Sequence, residues 1–195
     1  MNDCIFCNLD FDKVENTVIC ETKNFRVIPS VGSLLDGYVL IVTKNHINSL
    51  SELTDEQKVE YENLVSEILQ IFQKVYGRTP ILFEHGTPNI QNSMSATSII
   101  HAHSHIVNFK FKNESEILEK YNFISIQNFK DVKRENYIYY VSDNETKYVS
   151  YNFDSISQLM RILIANEIDK GEQYNWRKFD FKENIVTMLN KFKDI

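Results

Sequence analysis

"SIIHAHSHIVNF", residues 98–109, carries three of the five histidines of a 195-residue chain, at every second position. Successive side chains of an extended strand point to opposite faces, so residues two apart share a side. His101, His103 and His105 therefore form a row on one face, with Ile100, Ala102, Ser104 and Ile106 on the other. Burying three imidazoles side by side without partners is costly. Along a regular strand the outer pair stands ~13 Å apart, at about 3.3 Å per residue. Metal–nitrogen bonds span only ~2 Å, so one ion could hold all three only on a sharply bent strand. The row is expected to divide its labour.

Working outward, "PILFEHG" (80–86) reads as a strand ahead of the histidine strand, and "HGTPNIQNSMSAT" (85–97) as the polar loop between them. Loops of that length inside a compact domain are often functional. "GYVLIVTKNH" (37–46) is a near-continuous apolar run, the pattern of a strand buried on both faces. "NTVICETKNFRVIPSV" (16–31) reads as a hairpin turning at "ETKN". The clearest helix is "LTDEQKVEYENLVSEILQIFQKVYG" (53–77). Thr54 and Gln57 make a capping box at its start, and Gly77 stops it. Tyr61, Leu64, Val65, Ile68, Phe72 and Val75 form its apolar stripe.

After about residue 112 the pattern changes. "ENYIYYVSDNETKYVSYNF" (135–153) is an aromatic-rich hairpin across "SDNE"; "SISQLMRILIANEIDKG" (155–171) and "KENIVTMLNKF" (182–192) are helices. The sequence thus predicts an α+β fold: residues 1–112 as one domain with a five-stranded sheet, and 113–195 as an extension packed on it.

Apolar content of 43% and charged content of 25% are ordinary for a globular chain. A net charge of −6 argues against a nucleic-acid backbone as the main partner. No stretch reaches the ~18 apolar residues of a spanning helix, and "MNDCIFCNLDFDK" lacks the basic start of a signal peptide. A cytoplasmic location is expected, where disulfides are uncommon. Cys4 and Cys7, spaced C-x-x-C, then point to metal binding or redox chemistry. A thioredoxin-like role is disfavoured because the motif opens no βαβ unit. Cys20, inside "TVIC", reads as an inert buried thiol.

"HAHSHIV" resembles the His-x-His-x-His motif of the histidine triad nucleotide hydrolases and transferases, and "CIFC", "GYVLIVTKNHINSL" and "FEHG" precede it in the family's order. The resemblance covers residues 1 to about 109. It implies a five-stranded antiparallel sheet with a long helix, a nucleotide as small-molecule partner, no nucleic-acid or membrane partner, and a homodimer. It also implies an enzyme that cleaves a phosphoanhydride or phosphoramidate at the α-phosphate. His103 would be the nucleophile, passing through a nucleotidyl-histidine intermediate. His105 would hold charge that develops on the phosphate, and Ser98 would lie near the leaving group. Dinucleoside polyphosphates, nucleotide sugars and phosphoramidates are the substrate classes implied; a non-catalytic nucleotide-binding or signalling module is the alternative.

The same resemblance gives Cys4, Cys7, His46 and His101 as ligands of a structural zinc, a closed tetrahedral set of two thiolates and two imidazoles. Phe6, Ser30, Glu84 and Thr97 fall at nucleotide-binding positions. Thr97 replaces a glutamine, Glu84 an asparagine or glutamine, and Ser30 a ribose-binding aspartate. A carboxylate at Glu84 would repel phosphates unless protonated or paired. In "EQYNWRKF" (172–179), Trp176 and Arg177 have the chemistry to stack on a base and pair with phosphate. Arg161, on the preceding helix, carries a weaker signal of the same kind.

Overall fold

The computed structural model describes residues 4–88, 99–152 and 156–193. Its elements in chain order are β1 (Cys20–Glu21), β2 (Phe25–Pro29), β3 (Tyr38–Thr43), α1 (Asp55–Tyr76), β4 (Ile81–Gly86), β5 (His103–Val107), α2 (Glu114–Lys120), β6 (Ile124–Ile126), β7 (Tyr137–Val141), β8 (Lys147–Ser150), α3 (Leu159–Glu167) and α4 (Lys182–Phe192). All eight strands join one antiparallel sheet in the order β1-β2-β3-β5-β4-β7-β8-β6. The five strands expected in the first 112 residues are present. What the sequence did not indicate is that the sheet continues: β7 pairs along the outer side of β4, from Leu82 opposite Val141 to Gly86 opposite Tyr137.

Strand alternation gives the sheet two apolar faces, and each has its own cover. Phe25, Val27, Val39, Ile41, Leu82, Ile106, Tyr137 and Tyr139 face α1, which buries Tyr61, Leu64, Ile68 and Phe72 against them. Each such side chain, withdrawn from water, contributes roughly 1.5–3 kcal/mol. The stripe read from sequence is thus the face that packs, although Val65 and Val75 are only partly buried. Thr54 and Gln57 form the reciprocal capping box, and Gly77 ends α1 in the left-handed conformation at φ 70°. On the opposite face, Ile28, Tyr38, Leu40, Val42, Ile81, Phe83, Val107, Ile138 and Tyr140 pack with Leu159, Met160, Ile164 and Ala165 from α3. The extension therefore lengthens the sheet and also roofs one of its faces. Among the described residues no helix is long and apolar enough to cross a membrane.

Candidate active site

The histidine row divides where the strand begins. His103 and His105 lie within β5, two residues apart, on the α3 side; their ring centroids are 4.9 Å apart. His101 precedes the strand, where Thr43 N–H donates to the Ala102 carbonyl and Ala102 N–H donates to that of Ile47. That junction turns its ring toward the N-terminus.

There His101 Nδ1 sits 3.4 Å from Cys4 Sγ and 3.6 Å from Cys7 Sγ, while His46 Nδ1 is 3.2 Å from Cys7 Sγ. The ligand atoms of Cys4, Cys7, His46 and His101 all lie within 4.8 Å of one another. Bonds of about 2.0–2.3 Å to one tetrahedral ion set neighbouring ligand atoms roughly 3.3–3.8 Å apart, close to the three cysteine–histidine distances. The tautomer fits as well. His101 Nε2–H donates to the Thr43 carbonyl at 2.8 Å, leaving Nδ1 with its lone pair toward the thiols, as a metal-ligating imidazole requires. Donor set, spacing and outer hydrogen bond are all compatible with zinc.

His103 is held by an equivalent device. Its Nδ1–H donates to the His101 carbonyl at 2.6 Å, so Nε2 carries the lone pair. Burial, the dominant cause, pushes its pKa down to about 4 against the pull of that hydrogen bond, so the imidazole is neutral at pH 7. His105 stacks on Phe83 with centroids 4.5 Å apart, and its Nδ1 lies 2.9 Å from the Tyr38 hydroxyl. Burial first, then the charges of His103 and Arg161, hold His105 well below the ordinary histidine range.

Both histidines line a cavity of about 50 Å³ shared with Phe6, Ser30, His85, Met160, Arg161 and Trp176. Roughly 10–15 Å³ is needed per water, so this is space for about four waters, or one compact group. A larger hollow of about 450 Å³ adjoins it across Ile5, Phe6, Val31, Leu40 and Trp176. The histidine face is thus covered on the side of the extension. Phe6 packs 5.0 Å from the His103 ring, and Met160, Arg161 and Trp176 close in from the extension. Trp176 reaches it because residue 32 is glycine: a Cβ there would stand 2.6 Å from Trp176 Cβ.

Of the expected nucleotide contacts, Phe6, Ser30 and Trp176 come together at the cavity. Arg177 does not line it; its guanidinium lies over the Trp176 ring at 4.6 Å, on the side of a separate surface hollow. Thr97 and Ser98 lie outside the described residues. Glu84 is a correction. One residue out of phase with Phe83, it points to the α1 face, 1% exposed, where Leu50 N–H donates to Oε1 at 2.8 Å and the Tyr137 hydroxyl donates to Oε2. It lies on the face opposite the histidine cavity. His85, in phase with Phe83, lines the cavity instead and was not singled out from sequence, although alternation from Phe83 was signal enough. All five histidines of the chain thus serve the cysteine cluster or the adjoining cavity.

Comparison with known proteins shows the family to which the chain belongs. The family profile described as "Scavenger mRNA decapping enzyme C-term binding" matches residues 3–121. The chain belongs to that family, within the histidine triad proteins. More particularly, it is 25% identical over 105 residues to "Protein hit" of Bacillus subtilis (strain 168), covering 54% of this chain and 70% of that one. Among solved structures it is similar to a HIT family hydrolase from Clostridium thermocellum, with 16% identity, 57% and 95% of the two chains covered, and a TM-score of 0.42. It is also similar to a zinc-bound histidine triad family protein from Mycobacterium smegmatis, with 19% identity, 58% and 79% covered, and a TM-score of 0.42. The family falls in a superfamily of nucleotide-binding hydrolases and transferases.

Proposed function

We propose that the chain is a nucleotidyl hydrolase or transferase that cleaves a phosphoanhydride or phosphoramidate at the α-phosphate of a nucleotide. The observation that carries this reading is the His103 tautomer: Nδ1–H is committed to the His101 carbonyl, which leaves a neutral Nε2 lone pair at the histidine cavity. Attack of Nε2 on the α-phosphorus forms a P–N bond as the bond from phosphorus to the leaving oxygen or nitrogen breaks. The departing group takes up a proton. A water, or another acceptor, then displaces the histidine and regenerates it. His105, with Nδ1 engaged by Tyr38, has Nε2 available to a phosphoryl oxygen. A phosphoryl-sized group suits the 50 Å³ cavity, and the adjoining hollow beside Phe6 and Trp176 suits the nucleoside.

Cys4, Cys7, His46 and His101 would hold zinc. Bound there, the ion would act structurally, tying the N-terminus to the segment that leads into β5 and so fixing the carbonyl that orients His103. Brief incubation with dinucleoside polyphosphates, nucleotide sugars and nucleoside phosphoramidates, then digestion without acid and mass analysis of the peptide around His103, tests the mechanism. A nucleotidyl adduct on His103, absent from His103→Ala, is expected. Turnover that survives in His103→Ala would refute it; binding without turnover of any of these compounds would favour a nucleotide-binding module.

A further inference from the structure

Among the described residues Arg161 is the permanent cation that lines the histidine cavity, and the extension supplies it. Arg161, in the first turn of α3, is 3% exposed and lines the cavity together with His103 and His105. Its Nε donates to the Tyr174 carbonyl at 2.9 Å and its Nη2 to the Gly32 carbonyl at 2.6 Å. The guanidinium stands 5.3 Å from the centroid of the Tyr38 ring. Tyr38 in turn places its hydroxyl 2.9 Å from His105 Nδ1, so one aromatic side chain links the guanidinium to the histidine pair.

Every one of these partners is neutral. Among the described residues Arg161 makes no ion pair. Among the described residues no aspartate, glutamate, lysine or other arginine lines the cavity. Two carbonyl acceptors ask only for neutral N–H donors, so the charge is surplus to that bracing role. Withdrawing a cation from water without a counter-ion is destabilising, and a group kept in that state inside a cavity is a mark of function. A guanidinium has five N–H groups, and the two carbonyls use two of them. The Tyr38 hydroxyl also interacts with the guanidinium, and the N–H groups left over lie in the same plane, the arrangement that meets phosphate oxygens.

We propose that Arg161 is the phosphate-binding residue of this cavity, and that the ligand is a nucleoside phosphate ester whose phosphoryl oxygens lie between the guanidinium and the His103–His105 pair. The proposal rests on the nucleotide reading of the site and adds the source of its charge. Residues 1–112 carry the histidines but not the cation that would hold the phosphate beside them. The extension is then a working part of the site.

Isothermal titration of the full chain with adenosine 5′-monophosphate and with adenosine reads this directly, in the wild type, Arg161→Gln and Arg161→Lys. The wild type is expected to prefer the monophosphate by tenfold or more. Arg161→Gln should lose that preference while keeping its affinity for adenosine, and Arg161→Lys should keep part of it. A folded Arg161→Gln that retains the full preference overturns the role of Arg161 and leaves the nucleotide reading standing. A wild type with no preference for the phosphate overturns both. Should Arg161→Gln fail to fold, a crystal structure of the wild type with adenosine 5′-monophosphate decides the matter. A phosphate oxygen within about 3.2 Å of the guanidinium supports the proposal, and a phosphate bound elsewhere overturns it.

Discussion

Replacing Glu84 by glutamine should make the protein's stability less sensitive to pH. The carboxyl lies between Leu50 N–H and the Tyr137 hydroxyl, which itself accepts from Ser49 Oγ at 3.1 Å. Burial raises its pKa from 4.5 to about 8, outweighing the two hydrogen bonds that pull it down. Because the folded pKa lies above the unfolded one, the unfolded chain releases this proton first. The contribution to stability is complete below pH 4.5 and is lost as pH rises through about 8. At 1.36 kcal/mol per pH unit, on the order of 3 kcal/mol is gone by pH 7, and about 1 kcal/mol more by pH 9. Glutamine has no proton to lose, and its amide offers an acceptor to Leu50 and a donor to the Tyr137 oxygen. Urea unfolding of both proteins at pH 5, 7 and 9 measures the effect, since other titrating groups cancel in the difference. The advantage of Glu84→Gln over wild type should grow with pH by amounts of that order. A difference that stays constant across the three pH values would show that Glu84 is ionised in the folded protein at an ordinary pKa, and the reasoning would be wrong.

Three further outcomes are expected. Stripping the metal from zinc-loaded protein with a chelator should lower the thermal midpoint, because a site present only in the folded chain stabilises by about 4 kcal/mol at a thousandfold excess of zinc over Kd; Cys7→Ser should abolish that response in differential scanning calorimetry. Gly86→Ala would place a Cβ 2.1 Å from Cε1 of Tyr137, in the strand that joins the extension to β4, so chemical denaturation should register a loss of at least 1–3 kcal/mol. Thr54→Ala removes the hydroxyl that accepts from Gln57 N–H at the start of α1, with an expected cost of about 1 kcal/mol in the same assay.

The first half of the chain was legible because its signals are local. Alternation in "HAHSH", the unbroken apolar run of β3 and the Thr54–Gln57 capping box each name an element without reference to distant residues. Two elements of the extension left no such mark. Helix α2 buries no residue, so it has no apolar stripe, and β6 is three residues long and mostly exposed. The β7–β8 hairpin was readable, but its neighbour was not, because side-chain pattern says which face of a strand is buried and not which strand lies beside it. The same limit governs the site. The cysteine–histidine cluster was expected from the family resemblance, with spacing alone marking only Cys4 and Cys7, whereas Glu84 was given a nucleotide contact because its motif position outweighed its phase relative to Phe83. Arg161 stands 56 residues beyond His105, and its place beside the histidines depends on how α3 folds back over the sheet.

The eight-stranded order also bears on how the molecule meets copies of itself. Without β7, the outer side of β4 would offer a six-residue row of backbone donors and acceptors to any passing strand. The chain fills that row from its own extension, and the sheet then ends in β1, two residues long, and β6, three. Edges so short are poor templates for intermolecular strand pairing. A twofold assembly built by joining two sheets at β4 is closed to this chain, so a pair of copies would have to meet through side chains on other surfaces. The same extension that supplies Arg161 from α3 thus also shields the sheet, through its hairpin, from edge-to-edge pairing.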